Sequence, residues 1–343
     1  MTRWRSVIGL GALCGLLVGC GDDVPSAEHP RDDSLRLNHL QAKGTHNSYH
    51  VETSDGIVDW NYTHAPLAEQ LDAQGVRKLE LDVHWDFDAQ AHRVYHVPLV
   101  DEGSVCDRFV DCLEDVRGWS DDHRGHHPIF VQIEPKEQDG RDPEDPDDLD
   151  EWITYIEALE QEILSVFPED RLITPDRVRG GAASLAEAID GEGWPTLGEA
   201  RGRVLFFLDC QRPFCVAYAH DGSGTDGRLV FPASEPGDPF EAVRVINDPV
   251  GRQDEIRMAV EAGRLVRTFA DNVREALDED TTRRDAALAS GAHMLSSDVP
   301  APRDDTGYVM EIPGGTPSRC NPLSAPADCI ATDIEDPERL SGR

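Results

Sequence analysis

A chain of 343 residues with 39% apolar side chains and 29 glycines can bury a substantial core unaided, which excludes a mini-protein held by staples and excludes wholesale disorder. Against 67 Asp plus Glu stand 32 Lys plus Arg, a net charge of −35, so the molecule repels polyanions and is no general nucleic-acid binder. The same field repels an anionic membrane, so any action on an anionic lipid needs local cations or a bound metal.

The chain opens with MTRWRSVIGLGALCGLLVGC. Arg3 and Arg5 precede an apolar stretch too short to span a bilayer comfortably, and small residues lead up to Cys20, the pattern of a secretory signal peptide over 1–19. LVGC resembles a bacterial lipobox, which implies cleavage before Cys20 and lipid on its sulfur. An exported lipoprotein follows, membrane-anchored through its N-terminus in the periplasm or at the cell surface; an ordinary signal peptide cut nearby is the alternative. Residues 20–34 are acidic, contain Pro25 and Pro30, and read as a flexible tether.

Apolar, β-branched runs predict strands at Leu37–Ala42, Val76–Val83, Ile129–Ile133, Val204–Leu208, Leu229–Phe231, Ala242–Ile246, Leu265–Phe269 and Met294–Leu295. Helical spacing predicts helices over Leu67–Gln74, Leu149–Phe167, Leu185–Ile189, Ile256–Ala262 and Arg283–Ser290. Repeated strand–helix alternation over 35–300 predicts an α/β fold, an irregular (β/α)8 TIM barrel, with a doubly wound sheet as the alternative. Glu137–Glu151 holds nine acids in fifteen residues and reads as a solvated loop; its oxygen spacing does not match an EF-hand. The stretch 301–343, rich in Pro, Gly and Asp, predicts an irregular tail.

With Cys14 in the leader and Cys20 lipidated, six cysteines remain in three close pairs. Export places them in an oxidising compartment, and short loops favour Cys106–Cys112, Cys210–Cys215 and Cys320–Cys329. A zinc site is the rival, but the C-x-x-C spacing it prefers is absent.

The first strand runs into Lys43-Gly44-Thr45-His46-Asn47-Ser48-Tyr49-His50, and a polar cluster at a strand's carboxyl end is where a barrel places its chemistry. In the second, Glu80 and Asp82 face one side, about 7 Å apart along the strand, and repel each other unless a cation lies between them or one is protonated. The third strand brings Glu134. Any one of these acids alone reads as a cap or an ion-pair partner. Asn47, Glu80, Asp82 and Glu134 together form an all-oxygen set that suits calcium or magnesium better than zinc.

The order and spacing of GTHNSYH, GVRKLELDVHW, VYHVPLVDEGSVC and PIFVQIEPKE, then AGRLVRTFADN and RRDAALASGAHMLSSDVP, resemble the calcium-dependent phosphoinositide-type phospholipases C of bacteria over residues 38 to 300. These are relatives of the barrel domain of the eukaryotic phospholipases C. The resemblance implies Ca2+ as cofactor on Asn47, Glu80, Asp82 and Glu134. It implies His46 as general base on an inositol 2-hydroxyl and His96 as the acid that protonates the leaving diacylglycerol oxygen. Lys136 falls where a substrate-phosphate contact fits, with an ion pair to the acidic loop as the alternative. Arg267 and Asp298 fall where headgroup contacts fit. The implied partner is a phosphatidylinositol-like lipid, with no nucleic acid and no obligate protein partner.

Two rivals stay open. A glycerophosphodiester phosphodiesterase uses the same barrel and a Glu-x-Asp pair but opens with His-Arg-Gly, where this chain has Thr45-His46-Asn47. The other is a non-catalytic calcium-binding surface lipoprotein, against which both histidines and all four oxygen ligands argue.

Overall fold

A computed structural model describes Met1 and residues 29–53, 57–136, 145, 147–314 and 317–336. The leader, Cys20, most of the tether and most of the acidic loop lie outside the described residues. One sheet contains β1 (Leu40–Thr45), β2 (Lys78–Asp86), β3 (Ala91–Val94), β4 (Ile129–Pro135), β5 (Val204–Leu208), β6 (Phe231–Pro232), β7 (Val243–Val245), β8 (Leu265–Phe269), β9 (Met294–Ser297) and β10 (Ser318–Cys320). Eight of them run parallel in the order β6-β5-β4-β2-β1-β9-β8-β7. A parallel bridge from Ala233 to Val243 brings the two ends together. The result is a nearly closed, irregular (β/α)8 barrel, and the doubly wound alternative, which needs two open edges, falls.

Alternation along β2 explains how the site is built. Leu79, Leu81 and Val83 pack outward in one cluster with Phe109, Leu113, Trp152 and Ile156 of the covering helices Phe109–Asp122 and Leu149–Val166. Lys78, Glu80 and Asp82 therefore turn into the barrel. Beneath them Ala42, Phe130, Leu205, Phe207, Phe231, Val243, Leu265 and Met294 fill the interior as an apolar plug. Polar residues inside the barrel are thus confined toward its carboxyl end.

Several elements depart from the sequence expectations, and three of them bear on the site. The helix Phe109–Asp122 was not predicted, although it buries Phe109, Cys112, Leu113, Val116, Trp119 and Ser120 at helical spacing; its many acids and Gly118 mask the period. The strand β3, antiparallel to β2, was likewise not predicted. The tail after residue 300 carries β10, which pairs antiparallel with the first half of β1, so that β1 meets β2 at the single pair Gly44 and Lys78. Below this seam Glu335, also from the tail, takes a 2.8 Å hydrogen bond from Arg77 Nε, both side chains being buried. Cys106–Cys112, Cys210–Cys215 and Cys320–Cys329 are all bonded as the spacing predicts.

Candidate active site

The sharp turn after β1 places Asn47 in the left-handed region at φ 42°, a conformation that asparagine tolerates better than most residues. The turn is closed by Ser48, whose backbone N–H donates to the Glu80 carbonyl at 2.9 Å while its hydroxyl accepts from Glu80 N at 2.7 Å. His46 and Asn47 are thereby fixed beside the inward face of β2.

Carboxylate oxygens of Glu80, Asp82 and Glu134 lie within 4.8 Å of one another. Glu80 and Asp82 are buried. Arg267 Nη2 donates to Glu80 across the barrel at 2.7 Å, and the Lys78 ammonium donates to the same oxygen. Burial works against the Glu80 charge, but these two cations outweigh it and hold the carboxyl well below the usual range. Asp82 and Glu134 are instead pushed upward, first by burial, with the charge of Asp82 adding to the effect on Glu134. Lys136 bridges both, at 3.0 Å from Asp82 Oδ2 and in contact with Glu134 Oε1.

The donor set fits a hard divalent cation. Asn47 Oδ1 and Asp82 Oδ1 are buried without a hydrogen-bond donor, a costly arrangement that a cation relieves. The three carboxylates converge without imidazole or thiolate among their ligand atoms, which suits calcium.

His46 Nδ1 is 2.8 Å from Asp298 Oδ1, and its Nε2 is 3.8 Å from Glu80 Oε1. The carboxylate fixes the tautomer, since Nδ1 must carry the proton shared with Asp298, which leaves Nε2 to face the carboxylate group. Burial opposes the charge on His46, but Asp298 and then Glu80 more than offset it and raise its pKa. His96 stands on the turn after β3 with Nδ1 2.9 Å from Asp101 Oδ2. Burial lowers its pKa against the pull of Asp101, and the charges of Lys136 and His46 lower it further.

Of the residues singled out at the strand ends, His46, Glu80, Asp82, Glu134, Lys136, Arg267 and Asp298 are joined by direct contacts, whereas Asn47 stands on the turn next to His46 and His96 is held by Asp101 on the turn after β3. Arg267 and Asp298 reach Glu80 and His46 directly. Sequence reasoning passed over Lys78, although alternation puts it on the face of Glu80 and Asp82; its ammonium also reaches Ser296 Oγ at 2.6 Å. It also passed over Asp209, just after β5, which accepts from Gln132 Nε2 at 2.7 Å and is raised to about 6 by burial and then by Glu134. Asp209 carries the same strand-end signal as Glu134, an acid directly after the predicted strand Val204–Leu208, but no neighbouring motif singles it out.

A family model described as phosphoinositide phospholipase C, Ca2+-dependent, matches residues 35–92 and 86–322. Among curated proteins no match was found. Among solved structures, a Ca2+-dependent phosphatidylinositol-specific phospholipase C from Streptomyces antibioticus superposes with a TM-score of 0.56 at 21% identity, over 77% of this chain and 95% of that one. A calcium-dependent phosphoinositol-specific phospholipase C from a Gram-negative Pseudomonas sp. gives 0.58 at 20% identity, over 86% and 98%. The myoinositol complex of the Pseudomonas enzyme gives 0.57 at 19%, over 85% and 97%. At these identities the likeness shows a shared fold.

Proposed function

The chain belongs to the family of Ca2+-dependent phosphoinositide phospholipases C, and from that premise we propose that it cleaves a phosphatidylinositol-like lipid to diacylglycerol and a cyclic inositol phosphate. His46 is the base, His96 the acid, and Asn47, Glu80, Asp82 and Glu134 are the metal ligands. The observation that carries this reading is the placement of His46. Its Nδ1 is held by Asp298 at 2.8 Å, and its Nε2 lies 3.8 Å from Glu80, at the edge of the carboxylate group.

Bound to those oxygens, Ca2+ supplies positive charge that favours ionisation of the attacking hydroxyl and offsets charge developing on the phosphate. Were Glu80 to hold the cation, its charge would no longer favour the His46 imidazolium, and Nε2 would accept the proton of the inositol 2-hydroxyl. The alkoxide attacks phosphorus, the bond to the glycerol oxygen breaks, and His96 donates a proton to that oxygen. Asp101 holds His96 through Nδ1 and directs its Nε2 away from the turn. A phosphodiester anion beside His96 raises its pKa toward the value an acid needs. Lys136, which pairs with Asp82 and Glu134, would be freed where those carboxylates held a cation and is the cation best placed to meet the phosphate. A cation in this carboxylate cage also makes the mouth attractive to an anionic lipid on a protein of net charge −35.

Cys20 carries the lipid anchor in this reading, supported by the LVGC motif, and mass spectrometry of the mature N-terminal peptide checks it: an unacylated terminus downstream of Cys20 refutes the anchor. Phosphorus NMR of phosphatidylinositol with the protein, in calcium and in chelator, tests the chemistry. Cyclic inositol phosphate appears first, and only in calcium. Direct release of acyclic phosphate, with a 2-deoxy-inositol lipid cleaved as readily as the parent, would instead favour a glycerophosphodiesterase.

A further inference from the structure

We propose that His50, His96 and Asp101 form a second cation site, distinct from the calcium ligands, that takes a divalent transition-metal ion of the zinc class. The effect on catalysis rests on the reading of His96 as general acid; the site itself does not.

The three residues are brought together by backbone. His50 follows the turn after β1, its N–H donating to the Asn47 carbonyl at 2.8 Å and its carbonyl accepting from His64 N at 2.9 Å. His96 and Asp101 lie on one tight turn, closed by hydrogen bonds from His96 N and Val97 N to the Asp101 carbonyl at 3.2 and 2.9 Å. His50 Nε2 and His96 Nδ1 reach the same carboxylate oxygen, Asp101 Oδ2, at 2.8 and 2.9 Å. Ligand atoms from all three residues fall within 4.8 Å of one another.

Proton counting makes this more than a polar contact. His50 Nδ1 is 2.9 Å from the Tyr62 carbonyl. A carbonyl only accepts, so the hydrogen sits on Nδ1, and Nε2 of the neutral ring presents a lone pair to a carboxylate lone pair. Something positive has to lie between them, either a proton or a metal ion. A ring that donates one N–H to a backbone carbonyl while the other nitrogen faces an acid is the arrangement that outer-shell bonding gives metal-bound histidines.

The donor chemistry selects the ion. Two imidazole nitrogens and one carboxylate suit zinc and its neighbours. Calcium, which takes six to eight oxygens, has no such set here. Thr53 Oγ1 donates to Asp101 Oδ1 at 2.9 Å, which leaves Oδ2 to the two rings. His50 and Asp101 are buried, whereas the His96 side chain is 17% exposed. The open position therefore lies on the His96 side. Entry of the metal would send the hydrogen between His50 Nε2 and Asp101 Oδ2 to solvent and shift the hydrogen on His96 Nδ1 to Nε2 of the same ring, so that Nδ1 of His96 is tied up.

The test is zinc binding to the whole protein at saturating calcium, measured by competition with a chromophoric chelator. One equivalent binds, and X-ray absorption at the zinc edge reports two imidazoles and a carboxylate. His50→Gln weakens zinc at least about thirtyfold, whereas Asp82→Asn leaves it unchanged. Absence of zinc binding, equal binding by His50→Gln, or loss of binding in Asp82→Asn overturns the proposal. Should His50→Gln fail to fold, Co2+ added to the wild-type protein decides: intense four-coordinate visible bands support the site, and a weak six-coordinate spectrum overturns it. Zinc bound at this site without loss of activity would count against His96 as the acid and not against the site.

Discussion

In the proposed reading, Asp82 is one of the side chains that set the metal requirement. It is buried, its Oδ1 has no hydrogen-bond donor, and Lys136 stands 3.0 Å from Oδ2. Asp82→Asn removes one of three converging negative charges and leaves the volume unchanged. Since ligand charge tunes calcium affinity, the calcium needed for half-activity rises by about tenfold or more; a calcium titration of activity with an unchanged requirement would remove Asp82 from the ligand set. Asp298 acts one step back, on His46, the base in the proposed reading. Burial disfavours the His46 imidazolium, and Asp298 is the largest influence restoring it. Asp298→Asn therefore lowers the pKa of His46, and the acid limb of the kcat/KM profile moves to lower pH. It also loosens the tautomer, so kcat falls by about 10²- to 10⁴-fold. A fall in rate with the acid limb unmoved would make Asp298 a structural residue only. The convergence of Glu80, Asp82 and Glu134 with His46 beside them was legible because these residues stand at strand ends within short motifs. His50 and Asp101 were not, since the contact between them joins residues 51 apart through a turn no local pattern announces.

Gly44 carries the junction between the first two strands. A Cβ placed there would lie 2.8 Å from both Cβ and Cδ of Lys78, and Gly44 with Lys78 is the register pair that joins β1 to β2. Lys78 cannot step aside cheaply, because its ammonium is held by Glu80, by the Thr45 carbonyl at 3.1 Å and by Ser296 at 2.6 Å. Gly44→Ala therefore pushes the strands apart, at a cost of about 1–3 kcal/mol, and disturbs Glu80 through Lys78. Urea unfolding with the disulfides intact measures the loss, and a wild-type midpoint would mean that the seam has slack. The same seam shows where sequence reading stops. Strong runs such as Val204–Leu208 and Leu265–Phe269 announce themselves by composition and match the observed strands β5 and β8. The three-residue β10 carries no such pattern, and its partner in β1 is about 280 residues away in sequence. Phe109–Asp122 was missed for a different reason: its buried stripe has helical spacing, but the acids and Gly118 between its members lower the apolar content of the segment.

At the scale of the whole molecule two opposing pH effects compete, and their magnitudes decide the sign. A protein of net charge −35 repels itself, and lowering the pH relieves that strain. Away from the candidate site, however, three buried histidines are held neutral. Burial lowers His126 to about 3 and His127 and His293 to about 4. His293 accepts from Val266 N at Nδ1, at 3.1 Å, so protonating that nitrogen breaks a barrel contact. Their folded pKa values lie below the unfolded value of about 6.5, so the unfolded chain takes up protons first. The stability they contribute is complete above about pH 6.5 and is lost as the pH falls toward 4. At pH 5 the loss is about 1–2 kcal/mol for each histidine, a large share of a typical domain stability of about 5–15 kcal/mol. Glu335, lowered to about 2 mainly by Arg77 against the effect of burial, withdraws its own contribution only below about pH 4.5. Surface repulsion is screened over about 8 Å at physiological salt, whereas the buried rings are not. The urea midpoint at 0.15 M salt should therefore fall steadily from pH 7.5 to pH 5, and His293→Gln should flatten part of that slope. In about 0.01 M salt the relief of repulsion is larger and the slope shallower. A midpoint that rises on acidification at both ionic strengths would show that the acidic surface governs stability and that the buried histidines do not.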